Sequence, residues 1–220
     1  MKKIIAIVFA SLALFFVTVS NSLAEWTAGV SGTVGVYEAD GRETSGTEGE
    51  IHDASEVGNY AFPSVFVEYN TGTVSIGLDL IPGEVQSAAE ERTDTGVGDN
   101  SLKTGNDATT NTAQVALSQH LTLYALVPIM DSGAYLKAGV HSVNIKSQES
   151  LGTGSQYGDE RVMGGTIALG YQHDTDGGFI RLEAGVSDYE DVSLNSTNTS
   201  NKVSGSLRGG FGRVSIGRSF

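Results

Sequence analysis

Eight times along this chain apolar and polar residues alternate with the period of a strand. Between those stretches no helical period of useful length is found. The clearest case is the last eleven residues, Gly210 to Phe220. There Val214, Ile216 and Phe220 fall on one face, and Arg213, Ser215, Gly217 and Ser219 on the other. A strand in that position must pair with one already made. The natural partner is the first alternating stretch, Trp26 to Tyr37, where Trp26, Ala28, Val30, Val34 and Val36 share a face. Pairing the two closes a barrel and leaves no exposed edge.

The remaining stretches are 59–69, 73–81, 112–127, 133–146, 161–173 and 179–189. Several read cleanly, such as Val74, Ile76, Leu78 and Leu80 against Thr73, Ser75, Gly77 and Asp79. Stretch 59–69 does not. Val65, Val67 and Tyr69 oppose Tyr60, Phe62, Phe66 and Glu68, so both faces are partly apolar, and Pro63 is awkward in a central strand. The connections alternate in length. Glu38–Gly58, Pro82–Asn111, Ser147–Glu160 and Glu190–Gly209 are expected as long polar loops. Asn70–Gly72, Pro128–Ser132 and Asp174–Gly178 are expected as short turns. An even strand number with long and short connections in turn is the pattern of an outer-membrane barrel, with short periplasmic turns and long external loops. The expected fold is therefore all-β: an eight-stranded antiparallel up-and-down transmembrane barrel.

The N-terminus agrees with export. Met1-Lys2-Lys3 precedes an apolar run, Ile4 to Val19, which is shorter than the roughly 20 residues of a membrane helix. Ser22-Leu23-Ala24 then supplies a small-residue cleavage site. Residues 1–24 are expected to be a cleaved signal peptide and 25–220 the barrel domain. The formal charge of −13 argues against nucleic acid, which needs clustered Lys and Arg. With no cysteine there is neither a disulfide framework nor thiolate chemistry.

Alternation, signal and terminal aromatic together resemble the small outer-membrane barrel family of OmpA-type N-terminal domains, opacity proteins and attachment/invasion barrels. Ala134-Tyr135-Leu136-Lys137-Ala138-Gly139-Val140 and Gly165-Thr166-Ile167-Ala168-Leu169-Gly170-Tyr171 look like that family's middle strands. Val214, Ile216 and Phe220 are similar to the C-terminal signal read by the barrel-assembly machinery. Arg218 departs from it, standing where that signal usually has an apolar residue. Near the interface Arg218 can snorkel to headgroups; at the midplane it would cost about 2–4 kcal/mol. The interfacial position is expected. No catalytic residues carry over from the resemblance.

The polar faces supply the candidate site. Asp79, Lys137, Arg181, Glu183 and Arg213 all fall on the face expected to line the lumen, where buried charges must pair. An interior ion-pair network is expected, because eight strands leave an interior that side chains fill. His120 and His141 also share that face, but no third ligand stands at a metal-binding spacing, and no metal or cofactor is expected. No nucleophile–base constellation is legible beyond the chance proximity of Ser118, His120 and Asp79, so no enzyme is expected. Asp174-Thr175-Asp176-Gly177 begins like a calcium loop and lacks the later Glu.

The first two loops carry carboxylates at 40, 43, 48, 50, 53 and 56, then at 84, 90, 91, 94, 99 and 107. They offer an acidic surface to a partner or to divalent cations. The expected function is structural or surface-interacting, in a monomer embedded among outer-membrane lipid and lipopolysaccharide. A small low-conductance pore is the alternative. A soluble periplasmic ligand-binding barrel fits less well, since its outward face would be polar.

Overall fold

The computed structural model describes residues 26–44, 51–86, 90–94, 109–150 and 155–220. The expected signal peptide lies outside the described residues, as do Glu48, Glu50, Asp99 and Asp107 of the acidic loops. The described chain is strand and turn throughout: β1 (Trp26–Thr44), β2 (Ile51–Asn70), β3 (Ser75–Leu80), β4 (Glu84–Gln86), β5 (Glu90–Asp94), β6 (Thr109–Pro128), β7 (Ala134–Ser150), β8 (Glu160–Thr175), β9 (Gly178–Tyr189), β10 (Val192–Asn195) and β11 (Lys202–Ser219). All pairings are antiparallel.

These strands make eight staves. β3, β4 and β5 are successive pieces of one stave along β6, and β10 continues β9 beside β11. The ring closes between β1 and β11, which pair without a break from Thr27–Ser219 to Thr44–Lys202. Phe220 extends that ladder by one step, its N–H donating to the Trp26 carbonyl at 2.9 Å. Closure gives the first and last staves partners on both sides, as a barrel wall in lipid requires.

Alternation decides the faces. Val34 and Ile216 are 62% and 59% exposed on the outside, whereas Thr33 and Ser215 beside them are buried. The ambiguous stave resolves the same way: Val67 faces out, and Ser64, Phe66 and Glu68 face in. Its inward aromatics have a steric role. Phe66 lies directly across from Gly29, Tyr60 from Gly35, Tyr124 from Gly77 and Tyr135 from Gly170. In each pair a Cβ on the glycine would overlap the ring. The rings lie flat over bare backbone, which fills a narrow lumen without forcing the wall outward.

The loop boundaries depart most from expectation. Most of Glu38–Gly58 is strand: β1 runs on to Thr44 and β2 starts at Ile51, in continuous register from Glu38–Val57 to Thr44–Ile51. Likewise β7 reaches Ser150 in the third expected loop, β4 and β5 occupy parts of the second, and β10 and the start of β11 at Lys202 occupy parts of the fourth. The cause is solvent. Beyond the apolar band both faces of a hairpin meet water, so side-chain alternation fades while the main-chain ladder persists. The short turns fall at the end where the termini meet. Asn70 Oδ1 accepts from Gly72 N–H at 2.7 Å, and Gly72 takes φ +89.

Replacing Gly170 by valine is expected to displace the Tyr135 ring and lower stability by about 1–3 kcal/mol, the usual cost of overpacking. Urea unfolding of the barrel in lipid vesicles measures this. An unchanged midpoint would show that the ring is free to move.

Candidate functional site in the barrel lumen

Three carboxylates and three cations meet inside the wall: Glu68, Asp79 and Glu183 with Lys137, Arg181 and Arg213. They come from five staves, and each is brought inward by the two-residue period of its strand. Glu68 on β2 receives Arg181 of β9 in a fork: Nη2 donates to Oε2 at 2.7 Å and Nη1 to Oε1. Tyr124 adds its hydroxyl proton to Glu68 Oε1 at 2.7 Å. Glu183 accepts from Lys137 Nζ at 3.1 and 3.2 Å and from Tyr135 at 2.9 Å. Asp79 accepts from Arg213 Nη1 at 3.1 Å and from Ser64 at 2.9 Å.

The units are linked. Arg213 Nε donates to Thr33 at 3.0 Å and stands 3.7 Å from Glu183, which joins the Asp79 and Lys137 units. Arg181 Nε donates to Gln172 at 2.6 Å. Aromatic faces complete the seats: Lys137 Nζ is 4.2 Å from the Tyr124 ring centre, and the Arg181 guanidinium 4.3 Å from that of Phe179. Glu68 and Asp79 are 2% and 1% exposed, so each charge is balanced by contact rather than by solvent. Equal numbers of each sign make this cluster formally neutral.

The structure brings all five sequence-selected residues, Asp79, Lys137, Arg181, Glu183 and Arg213, into one cluster. It adds Glu68, which sequence reasoning left off the list. The signal was its place on the same alternating face as Phe66; the aromatics of that face made both faces partly apolar and left the lipid side unassigned. Val214 and Ile216 of the terminal strand lie on the outward face, away from the cluster, and Phe220 follows as a half-buried residue at the end of the ladder. Arg218 pairs with Ala28, one step from the terminal end of the ladder, at the rim and away from the midplane.

Further along the lumen, His120, His141 and Tyr189 pack together, with ring centres 5.2 Å apart for the two histidines and 4.3 Å for His141 and Tyr189. A bulge in β6 between Ser118 and Leu121, with Gln119 at φ 53, sets His120 at this point, and its Nε2 lies 3.1 Å from the Tyr189 hydroxyl. The two imidazole planes are tilted by 31° to each other. Among the described residues no three His, Cys, Asp or Glu side chains are grouped so that they could hold a metal ion.

Outside, the extended hairpins pair their charges along the ladder. Arg42 Nε donates to Asp53 at 2.7 Å, and Arg208 Nη2 to Glu38 at 2.9 Å. The bond from Arg42 holds the Asp53 carboxyl below its ordinary range. Tyr37 donates to Glu56 at 2.9 Å.

A closed antiparallel wall of even stave number, apolar outside and ion-paired inside, defines a transmembrane β-barrel, the kind of protein that spans outer membranes. No protein-family model and no curated protein matches the chain. Among solved structures it is similar to the attachment invasion locus protein Ail of Yersinia pestis, crystallised with the heparin analogue sucrose octasulfate (14% identity, 86% of this chain and 99% of that one, TM-score 0.36). It is also similar to Neisserial surface protein A (10% identity, 84% and 96%, TM-score 0.36). A third similar structure is the outer membrane protease OmpT of Escherichia coli (10% identity, 93% and 100%, TM-score 0.45). Likeness at these values does not reach activity. The class rests on the wall and faces described above.

Replacing Arg181 by leucine strands Glu68 without its fork and is expected to cost about 3–5 kcal/mol. Replacing both Glu68 and Arg181 by leucine should cost clearly less than the sum of the two single changes. Urea titrations of the three variants give the coupling directly. Strict additivity would mean that the pair does not act as a unit.

Proposed function

We propose that this protein is an outer-membrane barrel whose function is carried by its external hairpins, on a lumen closed by its own side chains. The observation that carries the reading is the neutral cluster of Glu68, Asp79, Glu183, Lys137, Arg181 and Arg213, placed across the inside of an eight-stave wall. A water path needs room beside such groups. Here their donors and acceptors are turned on one another, with Phe66, Tyr124, Tyr135 and Phe179 in the space between.

With the termini and short turns in the periplasm, β1, β2 and β11 rise past the apolar band as a three-stranded sheet up to Thr44, Ile51 and Lys202. That sheet carries Glu38, Asp40, Glu43, Asp53 and Glu56, an acidic display suited to a surface partner or to cations that also bridge lipopolysaccharide. The chain works as a monomer whose outward residues contact lipid. Val214, Ile216 and Phe220 present the last strand to the barrel-assembly machinery.

Purified barrel, shown to be folded by heat-modifiable gel mobility, is expected to give no discrete conductance steps in a planar bilayer. Removing charge with Arg181→Ala and Glu183→Ala together should open the lumen and produce them. Steps from the unaltered barrel, abolished by those two changes, would instead make the cluster the lining of a pore.

A further inference from the structure

Within the apolar band the described wall has a seam. β2 and β3 are paired from Asn70–Ser75 to Val65–Leu80, and there the ladder stops. From Ser64 up to Ile51, β2 pairs with β1 alone among the described residues, and β4 on the facing side pairs with β6 alone. The cause is written in the sequence. Continuing the observed register would set Pro63 directly against Pro82, and neither has an N–H to give. These are two of only three prolines in the chain. Gly83, at φ +93, then turns the strand out of line.

The seam begins within the apolar band. Ala61 and Asn59 of β2 are in register with Val34 and Val36 of β1, which are 62% and 59% exposed on the outer surface. Leu80, at the lower end of the seam, also faces out. Main chain without a ladder partner at lipid depth is tolerated only where it is buried in protein or lines a cavity, so the gap must open on a recess of the wall rather than stand as a bare edge. Just inside the seam the surface is greasy: Tyr60 and Phe62 are stacked, with centroids 5.4 Å apart, and Ile81 is buried beside the gap. An apolar flank, continuous with the lipid-facing exterior and opened by a proline pair, suits a hydrocarbon chain.

We propose that the seam between β2 and β4 is a lateral lipid site, where the acyl chain of an outer-leaflet lipid leans in against Tyr60 and Phe62. The natural chain has no cysteine, so single cysteines can be introduced and labelled one at a time. Three labelled variants carry the test in vesicles whose lipids bear nitroxides on their acyl chains. Phe62→Cys reports the inside of the seam. Ser187→Cys reports an inward position on β9, which is paired on both sides. Val34→Cys reports the outer surface. Each variant is first shown to be folded by heat-modifiable mobility; should Phe62→Cys fail, Tyr60→Cys reads the same face. A bimane on Phe62→Cys is expected to be quenched almost as strongly as on Val34→Cys, and several-fold more than on Ser187→Cys. Quenching of Phe62→Cys no greater than that of Ser187→Cys overturns the lipid site. Absence of quenching at Val34→Cys is a different failure, because it overturns the membrane reading itself.

Discussion

Apart from the seam between β2 and β4, the wall of this molecule answers to one constraint: a main-chain N–H or C=O placed in hydrocarbon must find its partner within the protein. A helix satisfies that within itself; strands satisfy it only as a closed ring. Hence the unbroken ladder of β1 with β11, which turns a linear run of hairpins into a wall. Closure then fixes the chemistry of the faces. Because successive side chains point to opposite sides, the residue beside each lipid-facing Val, Ile or Leu must enter the lumen. An eight-stave lumen is narrow, so what enters must be small, flat or paired. Glycine opposite an aromatic ring, and carboxylate opposite guanidinium, are the two solutions this chain uses repeatedly.

These solutions support each other. Tyr124 covers Gly77 and donates to Glu68; Tyr135 covers Gly170 and donates to Glu183. One ring thus fills space and satisfies a buried charge. Arg181 and Lys137 in turn rest against aromatic faces. A buried ion pair alone is weak support for a fold, since desolvation offsets much of its attraction. Seated this way the charges do something else: they hold inward residues of β2, β3, β7, β9 and β11 at fixed mutual positions. The cluster works as a spacer of the wall.

How much of this the sequence discloses follows from the same physics. Faces were legible wherever one side meets lipid and the other a polar lumen, because the contrast alternates with the strand period. It failed on β2, where Tyr60, Phe62 and Phe66 face inward. No sequence rule says that an aromatic will lie over a glycine many positions away, so that side looked apolar and Glu68 lost its context. It failed again above the band. Along Glu38–Thr44 and Ile51–Gly58 both faces meet water, and a polar Gly-rich run reads as a loop although its ladder to Thr44 and Ile51 is complete. The bulge at Gln119 and the pieces β3 to β5 were invisible for a further reason. They depend on which residue of a neighbouring stave stands opposite.

Charge divides between the two regions in a way that assigns them different tasks. The lumen cluster is neutral, three against three, whereas the whole chain has 26 acidic and 13 basic residues. The excess of carboxylates therefore lies outside that cluster, and the hairpins above the band carry much of it. In the lumen an unmatched charge would be buried at low dielectric, where substitution of either partner is costly. On the hairpins, charges such as Asp53 and Arg42 are screened by water, and a change there disturbs the fold little. The membrane span is thus held to a narrow set of residues. The surface above it is free to be shaped by whatever it meets.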